Sequence, residues 1–224
     1  MLHSTYVHNN TYEDPKTSSV FENLMLLPDN VFWHILKSSC FYNDGMLTNS
    51  GRLLSYEFWS HWDNTGTDNN AYVEPDLFLR FEEFDVIIEA KYGDYGGQYL
   101  KQWTQELTAY DNEYGKEEKP VIFIAVGGNM SMDIVEIKVC GKMHLIFKCN
   151  WLSLLIATNK YRSELKRISV PDMNTSATLR LLDNIILAFN INGVYNIDWF
   201  NTMATEKNII NSSSLDNIKK HFTI

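Results

Sequence analysis

Residues that could act together on a phosphate ester lie close to one another in the middle of the chain. Asp76 follows a proline, and twelve residues separate it from Glu89, which stands one alanine before Lys91. Two carboxylates at close range repel each other unless a cation lies between them, and their hard oxygen atoms favour Mg²⁺ or Mn²⁺. A lysine beside such a pair adds a positive charge. Together these groups are sufficient for metal-assisted phosphodiester hydrolysis.

The spacing predicts that Asp76 and Glu89 lie opposite each other in a β-hairpin. If the turn is centred between Glu82 and Glu83, the numbers of cross-strand partners sum to 165. Directly paired residues have side chains on the same face, with Cβ atoms about 4.5–5.5 Å apart. Strand alternation puts Lys91 on that face too, roughly 6.5–7 Å beyond Glu89. A slip of one residue in the register would separate the two carboxylates.

The opposite face of the same hairpin is apolar and is expected to pack beneath a helix. Its residues are Leu77, Leu79, Val86, Ile88 and Ala90. Phe78 and Ile87 fall on the face of the carboxylates. The alternative interpretation is that Asp76 and Glu89 are unrelated surface charges, because a Glu-x-Lys triplet is common by itself.

The elements around this hairpin predict an α/β fold with a mixed central sheet flanked by helices. Predicted helices span 18–38 (with a boundary at Pro28), 98–110, 151–167 and 176–189, and predicted strands span 53–62, 74–81, 85–92, 120–126, 134–139 and 144–149, with a charged loop over 112–119. The expected organisation is a flexible segment over 1–17, a core over 18–150, and a C-terminal helical extension over 151–224 that packs on the core.

The charge of the chain is unevenly distributed. Residues 1–137 hold 8 Lys+Arg and 22 Asp+Glu, whereas residues 138–224 hold 11 and 6, and the net charge is −9. This argues against a uniformly basic, nucleic-acid-coating surface. The best local candidate for phosphate contact is the basic segment 160–167, and a solvated helix face is an equally good interpretation. Its cations are Lys160, Arg162, Lys166 and Arg167.

Other side chains give weaker signals. The three cysteines, Cys40, Cys140 and Cys149, form no C-x-x-C pair and are expected to be buried, reduced thiols of a cytoplasmic protein. No apolar run approaches the roughly 18 residues of a membrane-spanning helix. The six histidines lack metal-ligand spacing, and 127–129 (Gly-Gly-Asn) is predicted to be a turn because it lacks the phosphate-loop frame.

The active-face residues also carry a family resemblance. Glu74-Pro75-Asp76, followed by twelve residues, Glu89-Ala90-Lys91 and a helix with Gln98 and Gln102, resembles the PD-(D/E)XK nuclease superfamily. The predicted order of helix, three strands, helix and strand is similar to the restriction-endonuclease-like core, over roughly residues 18–126. Members include restriction enzymes, repair and recombination nucleases and many prokaryotic anti-phage defence proteins.

The resemblance implies a role for each of the three central residues. Asp76 and Glu89 would bind Mg²⁺ or Mn²⁺, and Lys91 would orient or help to deprotonate the attacking water. The implied products carry a 5′-phosphate and a 3′-hydroxyl.

Two further helices supply candidates by the same resemblance. Glu22 on the first helix is the candidate for a metal-bound water, and an exposed helix position is the alternative. Gln102, and after it Gln98, is the candidate for a glutamine on the helix that follows the triplet. Gln98, Gln102 and Glu106 are four residues apart, which predicts one stripe of that helix.

The expected function is that of a cytoplasmic, Mg²⁺-dependent DNA endonuclease in prokaryotic defence. Two alternatives stay open. The first alternative is an RNA nuclease. The second is a non-catalytic or conditionally active subunit, which would bind a partner protein or a second copy of this chain. The acidic front half and the lack of a separate DNA-binding domain favour the subunit interpretation.

Overall fold

A mixed sheet lies between two layers of helices in the computed structural model, which describes residues 13–167 and 173–195. The helices are α1 (Glu13–Leu24), α2 (Asp29–Ser39), α3 (Leu100–Tyr114), α4 (Trp151–Lys166) and α5 (Met173–Ile191), with a 3₁₀ turn at Gly115–Glu117. The strands are β1 (Leu53–Phe58), β2 (Leu77–Phe81), β3 (Asp85–Ala90), β4 (Val121–Val126), β5 (Val135–Val139) and β6 (Lys142–Cys149).

The strand order across the sheet is β1-β2-β3-β4-β6-β5. β3, β4 and β6 run parallel to one another, while the β1–β2, β2–β3 and β5–β6 pairs are antiparallel. The predicted α/β class with a mixed sheet is therefore confirmed. The central strand β4 reads as a continuous apolar run because both of its faces are covered.

The register predicted for the β2–β3 hairpin is confirmed. Leu77 pairs with Ile88 and Phe78 pairs with Ile87, so the residue numbers of partners sum to 165. Asp76 directly precedes β2, and continuing this register sets it opposite Glu89. The short turn at Glu82 and Glu83, closed by the hydrogen bond from the Phe81 N–H to the Phe84 carbonyl oxygen, sets this register. A slip of one residue would separate Asp76 from Glu89.

One face of the sheet is covered by four helices. Residues of α1, α2, α4 and α5 share a single hydrophobic core with the apolar face of the hairpin, which includes Leu77 and Ile88. Trp33 of α2 packs on Phe84 with ring centroids 4.6 Å apart, and Phe21 of α1 packs edge-on against Trp151 of α4. This layer holds the hairpin from behind.

The other face is covered by α3. Trp103 and Leu107 of α3 pack on Phe78, Ile87 and Phe123 of the sheet in a second hydrophobic core. Asp76, Glu89 and Lys91 belong to this face by alternation. The polar stripe of α3 thus lies over the acidic end of the hairpin.

Several predicted strands are longer than the observed ones. β1 ends at Phe58 rather than residue 62, because Trp59 has a positive φ of 52° that an extended strand does not accommodate. β2 begins at Leu77 and β3 ends at Ala90, so Asp76 and Lys91 lie just outside the strands. Lys91 is still held by its N–H, which donates to the Val126 carbonyl oxygen at 2.8 Å.

Two helices also differ from their predicted bounds. α1 begins at Glu13, within the segment expected to be flexible, and the Lys16 ammonium donates to the Tyr92 carbonyl oxygen at 2.8 Å. That contact joins residues far apart in sequence, so local pattern does not reveal it.

α3 begins two residues late and continues to Tyr114, through part of the predicted 112–119 loop. The expectation for residues 1–12 lies outside the described residues.

The predicted C-terminal extension forms part of the same helical layer as α1 and α2. Trp151, at the start of α4, is fully buried, and α5 packs on both α1 and α4. None of the helices in the described ranges combines the length and the apolar character that crossing a bilayer requires. Residues 196–224 lie outside the description.

The cysteines follow the expectation in two cases out of three. Cys40 and Cys149 are buried and free, as expected. Cys140 is exposed, because it occupies the β5–β6 turn with a φ of 50°. The expectation of a buried thiol is therefore wrong for Cys140.

The start of α4 gives a stability prediction. The Asn150 side chain accepts a hydrogen bond from the Ser153 N–H at 2.6 Å, and the Ser153 hydroxyl accepts one from the Asn150 N–H. Asn150→Ala removes this capping box and should lower the free energy of unfolding by about 1 kcal/mol. Urea denaturation measures the change, with Lys160→Ala at an exposed position of the same helix as control. Equal effects of the two substitutions would contradict the capping role.

Candidate functional site

The acidic residues lie at the edge of the sheet where the three parallel strands end. The segments after β3 and β4 and the start of α4 meet there: the Gly128 N–H donates to the Gly93 carbonyl oxygen at 2.7 Å, and the Trp151 indole N–H donates to the Lys91 carbonyl oxygen at 2.7 Å. The carboxyl edge of parallel strands is the usual ligand-binding edge of α/β proteins.

Asp76 is held between the neighbouring strands. Its Oδ2 atom accepts a hydrogen bond from the Ala90 N–H at 2.7 Å, and its carbonyl oxygen accepts one from the Trp59 N–H at 3.3 Å. Only 9% of the residue is exposed. The backbone therefore fixes the position of this carboxylate.

Glu89 is the centre of the polar contacts. It is 1% exposed. Its Oε1 atom accepts a hydrogen bond from the Gln102 amide at 2.6 Å and also forms an ion pair with the Lys91 ammonium. The first of these contacts crosses from the sheet to α3. Glu89 thus joins the two layers through a charge-assisted hydrogen bond.

Both glutamines predicted for the site contact Glu89, in different ways. Gln102 binds its carboxylate, whereas the Gln98 amide donates to its main-chain carbonyl oxygen at 3.0 Å. The Trp103 indole N–H donates to Gln98 Oε1 at 2.6 Å and so orients that amide. Gln98 precedes α3, so the predicted stripe of three residues on one helix is wrong for Gln98, although it is correct for Gln102 and Glu106.

Glu106 is a third acidic side chain of the cluster. It is 1% exposed, and neither of its carboxylate oxygens has a hydrogen-bond partner among the described residues when both Glu106 and Glu89 are ionised. Burial, followed by the charge of Glu89 and a hydrogen bond to it, raises the pKa of Glu106 well above its ordinary value. A protonated Glu106 therefore donates to Glu89. Its position four residues after Gln102 was the sequence signal for this placement.

These contacts leave a buried cluster rich in negative charge. Asp76, Glu89 and Glu106 supply three carboxyl groups, and Lys91 supplies one ammonium group. The charges of Glu89 and Asp76 both act on Glu106, which shows that the three groups lie near one another. A proton on Glu106 reduces the repulsion, and a divalent cation would do the same.

The Gly127-Gly128 turn packs directly on Lys91. A Cβ atom at Gly128 would lie 2.7 Å from Lys91 Cγ and 2.8 Å from the Gly96 carbonyl oxygen, and φ at Gly128 is +64°. Glycine is required here for its backbone conformation and for the close approach. The predicted turn is therefore also one wall around the lysine.

Lys148 is a second cation on the same face, which sequence reasoning did not identify. Glu89 pairs with Ala125 and Ala125 pairs with Lys148, so the three form one row across adjacent strands. The backbones of Glu89 and Lys148 are two strand spacings apart, which is about 9.5 Å. Burial lowers the pKa of Lys148, against the charge of Asp133. No local sequence signal could reveal this row, because it requires the spatial strand order.

The structure buries Glu22 on α1, in the four-helix layer across the sheet from α3. Its proposed contact with a metal-bound water stays a prediction. From α3, Gln102 donates a hydrogen bond to the Glu89 carboxylate and Glu106 lies close to Glu89.

The basic segment 160–167 lies away from the cluster. α4 begins beside Lys91, and its rise sets Lys160 about 14 Å farther along the helix axis. Arg162 is paired with Asp183 of α5 at 2.5 Å, while Lys160, Lys166 and Arg167 are exposed. The structure does not bring these four cations to the acidic residues, and their contact with phosphate stays a prediction.

The donor set of the cluster suits a hard cation. Asp76, Glu89 and Glu106 offer carboxylate oxygens, and Mg²⁺ commonly uses one or two carboxylates together with water and substrate oxygens. Within residues 13–167 and 173–195, no three His, Cys, Asp or Glu side chains converge on one coordination point. Asp76 and Glu89, which the register of the hairpin sets opposite each other, are the candidate pair of ligands.

Comparison with known proteins adds one relative. The chain is similar to a protein of Pasteurella multocida (strain Pm70) named "Uncharacterized protein PM0110", with 32% identity over 123 residues. The match covers 54% of this chain and 44% of that protein, so it spans less than half of the relative's length. No protein-family model and no solved structure matches the chain.

The raised pKa of Glu106 predicts a pH-dependent stability. The folded state binds a proton on Glu106 more tightly than the unfolded state does. Glu106 therefore contributes fully to the free energy of unfolding below the ordinary pKa of glutamate, and this contribution is lost as pH rises through the raised pKa. Without metal, the melting temperature of Glu106→Gln should fall less between about pH 5 and pH 8 than that of the wild type. Glu83→Gln, at an exposed turn, is the control. Parallel curves for Glu106→Gln and wild type would contradict the shared proton.

The glycine turn gives a second prediction for this region. Gly128→Ala should destabilise the fold more than Gly141→Ala, because Gly141 has a similar φ of +82° but no atom within 4 Å of an added Cβ. Gly141→Ala should cost about 1–2 kcal/mol from backbone strain alone. Urea denaturation of both variants separates strain from crowding. Equal losses in the free energy of unfolding would contradict this, because they would show that Lys91 and Gly96 can move away from the added Cβ at no energetic cost.

Proposed function

We propose that the protein is a Mg²⁺- or Mn²⁺-dependent nuclease of the PD-(D/E)XK type with a restriction-endonuclease-like core. The observation that supports this most is the confirmed register of the β2–β3 hairpin. It sets Asp76 opposite Glu89, while Lys91 pairs with the Glu89 carboxylate. The resemblance of the same three residues to the superfamily motif also supports the proposal, because the motif falls at these hairpin positions.

Each side chain has a task in this proposal. When bound, the metal ion would polarise the phosphodiester and lower the pKa of a water ligand. Asp76 and Glu89 would hold it, because their carboxylates are fixed by the Ala90 N–H and the Gln102 amide. Lys91 would hold the attacking water in place. Glu106 would keep a proton at Glu89 until the cation binds.

DNA is the proposed substrate, and prokaryotic defence in the cytoplasm is the proposed setting. Both rest on the membership of the superfamily that the motif resembles. The chemistry of the cluster is the same for a ribose or a deoxyribose phosphate, so RNA is the alternative substrate. A 5′-phosphate and a 3′-hydroxyl are the proposed products.

A second candidate is a conditionally active or non-catalytic subunit that acts by binding a partner. The Lys91 ammonium and the Gln102 amide already contact the Glu89 carboxylate. β1 is an edge strand, and its Leu54 and Tyr56 side chains are exposed. An edge strand with apolar side chains is suited to pairing with another chain, either a partner protein or a second copy of this one.

The direct test is cleavage of plasmid DNA and of a labelled RNA with Mg²⁺ or Mn²⁺. Glu89→Gln and Lys91→Met should each lower the cleavage rate by about 100-fold or more, because each removes a group at the reacting phosphate. Glu83→Gln and Lys116→Met, at exposed positions, are matched controls. Cleavage that survives both site substitutions would refute the assignment and indicate a contaminating nuclease.

Metal binding by calorimetry separates the two candidates. Mn²⁺ should bind the wild type, and Asp76→Asn should abolish that binding. Metal binding without cleavage of DNA or RNA by the isolated chain would favour the conditionally active subunit. Absence of both would leave the non-catalytic subunit.

A further inference from the structure

A cleft of about 500 Å³ opens beside the acidic cluster. It is lined by Asp68, Asn69, Tyr99, Lys101, Gln102 and Gln105. Gln102 belongs to both features, because its amide donates to Glu89 at 2.6 Å. The cleft therefore begins one side chain away from the proposed metal ligands.

The volume of the cleft is that of a small-molecule site. Small-molecule sites commonly enclose about 300–1,000 Å³. Tyr99, which directly precedes α3, is 64% exposed and presents its ring to this space. An aromatic ring at the wall of a cleft is the element that stacks on a nucleobase.

The polar lining is suited to the edge of a base. The Gln105 side chain lines the cleft, and its amide offers both a donor and an acceptor. Asn69 donates to the Tyr72 carbonyl oxygen through its amide nitrogen at 3.2 Å, which leaves its Oδ1 atom to accept. Bases present donors and acceptors side by side, which amide groups can match.

The charges of the lining balance. Lys101 pairs with Asp68 at 2.8 Å, and both side chains are largely exposed at the rim. A neutral rim on a chain with a net charge of −9 offers little attraction to a duplex backbone. Affinity at this position must come from stacking and hydrogen bonds rather than from counterion release.

Further exposed side chains continue from the cleft around the same edge of the sheet. Tyr95 is 86% exposed on the segment after β3, and Met130 is 83% exposed on the segment after β4. Both segments adjoin Lys91 through the Gly128 turn.

We propose that this cleft binds one unpaired nucleobase of the strand whose phosphodiester reaches Glu89. Tyr99 stacks on the base, and Gln105 and Asn69 contact its edge. This inference rests on the proposed nuclease function and narrows its substrate to single-stranded or locally unpaired nucleic acid. DNA and RNA strands share this chemistry, and the experiment distinguishes them.

Binding is measured by fluorescence anisotropy with Ca²⁺, using labelled single-stranded DNA, single-stranded RNA and duplex DNA of about 12 nucleotides. We expect a single strand to bind more tightly than the duplex. Tyr99→Ala should weaken single-strand binding roughly tenfold or more, whereas Tyr99→Phe, which keeps the stacking ring, should stay within about twofold of wild type. Tyr42→Ala, at an exposed position between α2 and β1, is the control.

An abasic scan tests the base contact itself. Removing the base at one position should lower wild-type affinity, and at that position Tyr99→Ala should cause no further loss. The inference is overturned if the wild type binds duplex and single strands with equal affinity and Tyr99→Ala binds the single strand as tightly as the wild type does. If cleavage in Mg²⁺ depends on Glu89 but not on Tyr99, the proposed role of the cleft in base binding is overturned and the nuclease proposal stands. Absence of both binding and cleavage for the wild type overturns both.

Discussion

The burial of the Glu89 carboxylate is the constraint on which this arrangement depends. A carboxylate removed from water is costly unless charges and hydrogen bonds replace its solvation. Here the Lys91 ammonium and the Gln102 amide supply the replacement. Lys91 directly follows β3 and Gln102 lies on α3, so the hairpin, the segment after β3 and α3 must all be in position together.

The two faces of the sheet divide the work between stability and chemistry. The face under α1, α2, α4 and α5 is uniformly apolar and supplies the larger core. The face under α3 is apolar around Phe78, Ile87 and Trp103 and polar at the carboxyl edge. α3 therefore packs by its apolar stripe and delivers Gln102 and Glu106 to the acidic residues. A rigid hairpin beneath a well-packed helix is a good support for a preorganised site.

The hairpin shows why part of this structure was predictable. The short turn at Glu82 and Glu83 sets which residues of β2 and β3 pair. In that register the polar residues Arg80, Asp85 and Glu89 all fall on one face of the sheet. The ends of elements were less predictable, because they depend on contacts made at a distance. The positive φ of Trp59 ends β1, and the contact between Lys16 and Tyr92 helps to hold the start of α1 in place.

The sequence by itself determined the α/β class and the register of the β2–β3 hairpin that carries Asp76 and Glu89, because a short turn and the residues beside it are local properties. Only the tertiary structure decided which groups surround that pair. It brought Glu106 beside Glu89 and Lys148 into the same row, and it carried the basic segment of α4 away. These positions depend on strand order and helix docking, which arise from packing between residues distant in sequence.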